Sequence, residues 1–107
     1  IISSAVGSTA YNMSANGPII YPLSDVFCIT PICSHSLTQR PLIVPKEYFV
    51  NFKTKSDVSA IVDGQDIFNM NEFKNIGVRV NKARSSLIRR VNHDYFGILR
   101  EKLSWGK

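Results

Sequence analysis

Short apolar and β-branched runs recur along most of this chain, and nearly every one is cut off by proline or by a glycine turn. VFCIT, Val26 to Thr30, ends at Pro31, and LIV, Leu42 to Val44, sits between Pro41 and Pro45. Proline lacks a backbone donor, so it belongs at strand ends and edges. EYFVNFKT, Glu47 to Thr54, is aromatic and β-branched and reads as a strand. In SAIVDGQDIF, Asp63 and Gly64 supply the Asp-Gly pair that favours a type I′ hairpin turn. Ile76, Val78 and Val80 alternate with Gly77, Arg79 and Asn81, the period of a strand with one buried face. SSLIRRV, Ser85 to Val91, is a further strand candidate. Strands this short and this closely spaced predict a mainly β fold of stacked antiparallel sheets, sandwich-like, or a partly open barrel.

Two stretches depart from the β pattern. The chain opens on IISSAV, which reads as the end of a strand, and Gly7 breaks it. Ser8 or Thr9 is placed to cap a short helix over TAYNMSA, because a hydroxyl accepts from the orphan N–H groups of a first turn. Asn16 and Gly17 suit a left-handed closing position, and Pro18 stops the helix. The tail DYFGILREKLSW places Phe96, Leu99 and Leu103 at helical spacing, with Asp94 at its start and Lys102 near its end. Between the strand candidates, residues 31–40 read as a loop.

At 107 residues and 44% apolar content, the chain is long enough for one small domain with a core. Its net charge of +5 is unevenly spread. Residues 74–107 hold nine Lys and Arg against two acids, a net +7, and residues 1–73 hold four against six, a net −2. A basic half attracts phosphates, and it equally serves as a solvated surface. Cys28 and Cys33 lack the spacing of a zinc or redox pair and read as reduced, buried thiols of a cytoplasmic protein. No run reaches the roughly 20 apolar residues that cross a bilayer. IISSAV also lacks the charged start of a signal peptide, and with no initiator Met the natural protein is expected to begin upstream.

The turn GSTAY carries the most chemistry. Glycine lets a ligand approach the backbone, and the Ser8 and Thr9 hydroxyls at a helix start suit phosphate or sugar oxygens. Tyr11 falls where its ring could stack on a base, although such turns also occur as plain helix starts. Asp63 reads first as a turn residue, with a carboxylate also able to hold a ribose hydroxyl, and Gln65 adds a donor and an acceptor. His35 has no second ligand at metal-binding spacing.

Taken together, these segments resemble one family, the NAD kinases. GSTAYNMSANGP resembles that family's GSTAYxxSAGGP motif, TPICSHSLTQRPLIVP its next block, DGQ a third, and LREKLSWG its usual C-terminal end. They stand in the family's order from one end of the chain to the other. The resemblance implies that residues 1–107 are the C-terminal NAD-binding domain, with an N-terminal α/β domain outside this chain. That missing part would carry a Gly-Gly-Asp-Gly phosphate motif, whose aspartate is the general base, and an Asn-Glu motif that grips ribose. No two glycines are adjacent here, so no catalytic residue is expected in this chain.

The implied reaction transfers a phosphoryl group from ATP, or from polyphosphate in some members, to the 2′-hydroxyl of the NAD adenosine ribose, giving NADP. It implies a divalent ion, Mg2+, on the phosphates. By motif, Thr9, Ala10, Tyr11 and Ser14 would contact NAD, with Thr9 and Ala10 at the adenine and Tyr11 lining the pocket. Cys33 and His35 would lie in a loop reaching a neighbouring subunit's site, and Asp63 and Gln65 near the dinucleotide. A homodimer or homotetramer is implied, with neither membrane nor nucleic acid as partner. Where the family has Ser-Thr-Pro-Thr, this chain has Ser3-Ser4-Ala5-Val6, and where the family has Gly-Gly it has Asn16-Gly17. The first change could loosen the turn, whereas Asn tolerates a left-handed backbone. Two alternatives stand beside this reading: a lipid or diacylglycerol kinase-like protein of the same superfamily, and a basic, non-enzymatic nucleic-acid-binding β-domain. The basic segment lacks the clustered aromatics of a base-stacking platform.

Overall fold

The computed structural model describes all 107 residues. Seven short strands run in three antiparallel sheets, with two short helices. The first sheet takes β1 (Ile2–Ser4), β2 (Val26–Ile29) and β3 (Leu42–Pro45), with β2 in the middle. Ser3 faces Cys28, and Phe27 faces Val44. As the central strand, β2 is covered on both sides, and its Phe27 and Cys28 are both buried. Cys28 joins Ala5 and Ile20 in the apolar centre, with Val26 packed against it.

Between β1 and β2 the chain makes a 3₁₀ turn over Val6–Thr9 and then helix α1 (Tyr11–Ser14). Asn16 closes this segment in the left-handed region at φ 61°, as expected, and Gly17 does not share that conformation. The expected capping is absent. Neither the 3₁₀ turn nor α1 has a side-chain cap. The Ser8 hydroxyl instead turns inward, accepting from the Ile20 N–H at 2.9 Å and returning its proton to the Ile20 carbonyl. A buried hydroxyl gains more from two partners across the fold than from one in its own turn.

The second sheet pairs β4 (Val50–Lys53) with β7 (Asn75–Val78), and the third pairs β5 (Ser59–Val62) with β6 (Asp66–Asn69). The β5–β6 connection is the predicted hairpin. Asp63 and Gly64 have φ of 51° and 68°, and the Gln65 N–H closes the turn on the Val62 carbonyl at 3.0 Å. Positive φ at both central residues defines type I′, whose twist matches the strands it joins. The strand expected over Ser85–Val91 does not form. Ile88 and Val91 are fully exposed, and no neighbouring strand offers the hydrogen bonds that β propensity cannot supply alone.

Helix α2 (Tyr95–Leu103) follows, with Asp94 at its N-cap position but making no cap hydrogen bond. Leu99 is its one buried residue, and Phe96 stays half exposed. Tyr95 stands edge-on to Tyr21 with ring centroids 5.1 Å apart, and Phe96 stacks near the same ring at 6.3 Å. Edge-to-face pairs of this kind add to area burial. They bring the end of the chain back to the segment that leaves the α1 turn.

Candidate functional site

The GST turn is held from beneath by a buried polar network. Asn12, on α1, is 1% exposed. Its Nδ2 donates to the Ser8 carbonyl at 3.0 Å and to the Pro18 carbonyl at 3.2 Å. Two carbonyls can only accept, which fixes the amide orientation and leaves Oδ1 toward Thr30. The Thr30 hydroxyl donates to that oxygen at 2.5 Å. With its one proton committed, Thr30 Oγ1 accepts from the Cys28 thiol at 3.4 Å. Every polar side chain in this group is satisfied within the fold, as burial requires.

Above this network lie the residues expected to meet a ligand. Thr9, Ala10 and Tyr11 fall between Ser8 and Asn12, which both point into the protein. Tyr11 is 67% exposed, so its ring is free on the surface of the turn. Ser14, one helical turn on from Tyr11, is exposed as well. At the β1 end, the Ser4 hydroxyl accepts from the Gly7 N–H at 3.1 Å. The segment Ser3-Ser4-Ala5-Val6 therefore keeps one hydroxyl contact to the turn.

The other expected site residues stand elsewhere. Cys33 and His35 lie exposed in the loop after β2. The two cysteines are free, but only Cys28 is buried. Burial was expected of Cys33 because of its apolar neighbours, yet Pro31 turns the chain out of the sheet and Cys33 adopts φ 49° on the surface. Asp63 and Gln65 sit exposed at the β5–β6 tip, on a different sheet from the GST turn. Thr9, Ala10, Tyr11 and Ser14 thus lie together on the GST turn and α1, while Cys33 and His35 lie in the loop after β2 and Asp63 and Gln65 at the β5–β6 tip. No three His, Cys, Asp or Glu side chains converge, so these residues do not form a cage for a divalent ion.

Sequence reasoning missed Asn12 and Thr30 altogether. Both are small polar residues in stretches that read as helix and strand, and no short-range pattern marks two such residues as partners. It also missed the ion cluster at the open end of the β2–β3 pair. Lys46 forms a short ion pair with Asp25, and Arg84 lies 3.6 Å from the same carboxylate. The Lys46 hydrogen bond holds the Asp25 carboxyl below its ordinary range, partial desolvation opposes it, and the Lys46 and Arg84 charges add to the lowering.

The fold defined by these sheets is that of the C-terminal domain of the NAD and NADH kinases. It superposes on a yeast NADH kinase solved in complex with NADH, with a TM-score of 0.74 and 26% identity, over 98% of this chain and 34% of that one. Residues 1–90 match the ATP-NAD kinase C-terminal domain family. An NAD kinase of Campylobacter jejuni is 50% identical over 106 residues, covering 99% of this chain and 37% of the relative. One of Helicobacter pylori is 40% identical over 107 residues, covering 38% of its length. The chain belongs to the NAD kinase family, through its C-terminal domain. It spans little more than a third of the length of these relatives.

Proposed function

We propose that this chain is the NAD-binding part of an NAD kinase that phosphorylates the 2′-hydroxyl of NAD to give NADP, with ATP or polyphosphate as donor. The observation that carries this is the GST turn. It holds an exposed tyrosine and a threonine over a rigid, fully satisfied base, in a chain of the NAD kinase family. Thr9 and Ala10 meet the adenine, Tyr11 supplies an aromatic face, and Ser14 adds a hydroxyl. In the transfer, the ribose oxygen forms a bond to the γ-phosphorus as the bond to ADP breaks, and its proton passes to a base outside this chain. A Mg2+ ion would neutralise the phosphates during the transfer, and this chain's residues do not fit a site for it. The chain's own part is to bind and orient NAD.

Assembly of two or four copies belongs to the same reading. Ile61 and Ile67 pair across β5 and β6 and are exposed on one face of that sheet, and Val62 and Phe68 are exposed on the other, so the sheet has apolar side chains for a partner to cover. A second copy laid there would bring Asp63 and Gln65, at the tip of the β5–β6 hairpin, toward a neighbour's nucleotide, and the motif assigns Cys33 and His35, in the loop after β2, to the same role. No helix is long and apolar enough to cross a membrane, and a cytoplasmic enzyme is the proposed setting.

The test is NADP formation by the full-length protein from ATP, Mg2+ and NAD, with diacylglycerol as a control acceptor. Tyr11→Ala is expected to raise KM for NAD at least about tenfold, the usual worth of one base–aromatic contact. Thr9→Val is expected to raise it by a smaller factor. An unchanged KM in both variants removes these residues from the site, and phosphorylation of diacylglycerol in place of NAD overturns the function.

A further inference from the structure

Asn12 and Thr30 are each 1% exposed, and their side chains form no hydrogen bond to Thr9, Ala10, Tyr11 or Ser14. We propose that they are positioning residues: their buried hydrogen bond anchors the GST turn to the central strand and so sets the affinity for the nicotinamide dinucleotide. This rests on the NAD-binding reading of the turn and adds residues that touch no substrate.

The argument is geometric. Ser8 and Asn12 bracket Thr9, Ala10 and Tyr11, so fixing those two residues fixes the three between them. Ser8 is tied to the backbone of Ile20 through its hydroxyl. Asn12 is tied to Ser8 and Pro18 through its two amide hydrogens, so one side chain holds both the entry and the exit of the turn. At the β1 end the turn is held to the sheet by the Gly7 N–H bond to the Ser4 hydroxyl, which leaves its α1 end to be held through Asn12. Only the Thr30 hydroxyl, on the residue that follows β2, connects Asn12 to the sheet. Its position is in turn fixed by backbone pairing, since the Thr30 N–H bonds the Ile1 carbonyl at 2.8 Å.

Gly17 supports the same assignment independently. A methyl group there would overlap the Asn12 amide, with Oδ1, Cγ and Nδ2 the three nearest atoms. Gly17 does not have a positive φ. Glycine is therefore required at this position by the close approach of Asn12 and not by the backbone conformation.

Thr30→Val keeps the shape of the side chain and removes the hydroxyl. It leaves Asn12 Oδ1 buried without a donor, a situation that folded chains relieve by shifting the group. In the full-length enzyme, Thr30→Val is expected to raise KM for NAD about tenfold, with KM for ATP within about twofold of wild type. Amide hydrogen exchange should quicken across residues 7–20 and stay unchanged in β3. Thr30→Ser restores the hydroxyl and should bring both readouts back. Gly17→Ala, which attacks the same contact from the other side, should reproduce the selective loss for NAD. A Thr30→Val enzyme with unchanged KM for NAD, beside an active wild type, overturns this proposal alone. So does equal weakening toward NAD and ATP, which marks a general loss of structure. A wild-type enzyme that forms no NADP overturns it together with the NAD reading.

Discussion

The two halves of the chain bury themselves very differently. Of the 11 buried residues, nine lie in residues 1–45, and only Met70 and Leu99 lie beyond. The first region closes on itself: a central strand covered on both faces, a small apolar centre and a polar network without a loose end. The second region is two separate two-stranded sheets and a helix, and its strands leave Ile61, Val62, Ile67 and Phe68 exposed. Isolated two-stranded ribbons are marginal in water, so these sheets depend on surfaces outside them. The radius of gyration of 15.7 Å exceeds the roughly 13 Å of a compact chain of this size. A binding turn must be rigid before the ligand arrives, whereas a surface meant to be covered can leave its apolar groups for the partner to bury.

The same substitution made in both regions tests this contrast most strongly. Phe27→Ala empties a site 3% exposed in the central strand and is expected to lower the unfolding free energy by about 3 kcal/mol or more. Phe68→Ala, at a residue 42% exposed, is expected to cost less than about 1 kcal/mol in the protomer. Denaturant unfolding of the full-length protein compares the two. A loss at Phe68 as large as that at Phe27 would show that the second region buries its apolar face in the whole protein, and the contrast would then belong to the single chain alone.

A smaller effect sharpens the comparison at the hairpin. A Cβ on Gly64 meets nothing within 4 Å, but the residue sits at φ 68°. Gly64→Ala is therefore expected to cost only the backbone term, about 1 kcal/mol, read by the same unfolding experiment. The smallest effect concerns the ion cluster. The folded Asp25 carboxyl lies below its ordinary value of 3.8, so its contribution is present above that value and fades as pH falls through the folded one. Because the group is exposed, Asp25→Asn should change stability only slightly at neutral pH and should flatten the acid limb of the pH–stability curve below 3.8.

Much of this protein was legible along the chain because the relevant physics acts over a few residues. Proline and glycine placed the ends of β2 and β3 and the stop after α1. The Asp63-Gly64 pair specified a type I′ turn, since few other residue pairs tolerate two positive φ values in succession. The ordered motifs gave the family, and with it the GST turn as the proposed site. What sequence alone left undecided involves partners far apart along the chain. Ser8 finds Ile20 12 residues away instead of capping its own turn, and Asn12 finds Thr30 18 residues away. Ser85 to Val91 has the residues of a strand and lacks only a neighbour. Local preference states what a segment can become; which groups meet, and so which side chains are buried, anchored or left for a ligand, is decided when distant segments are packed together.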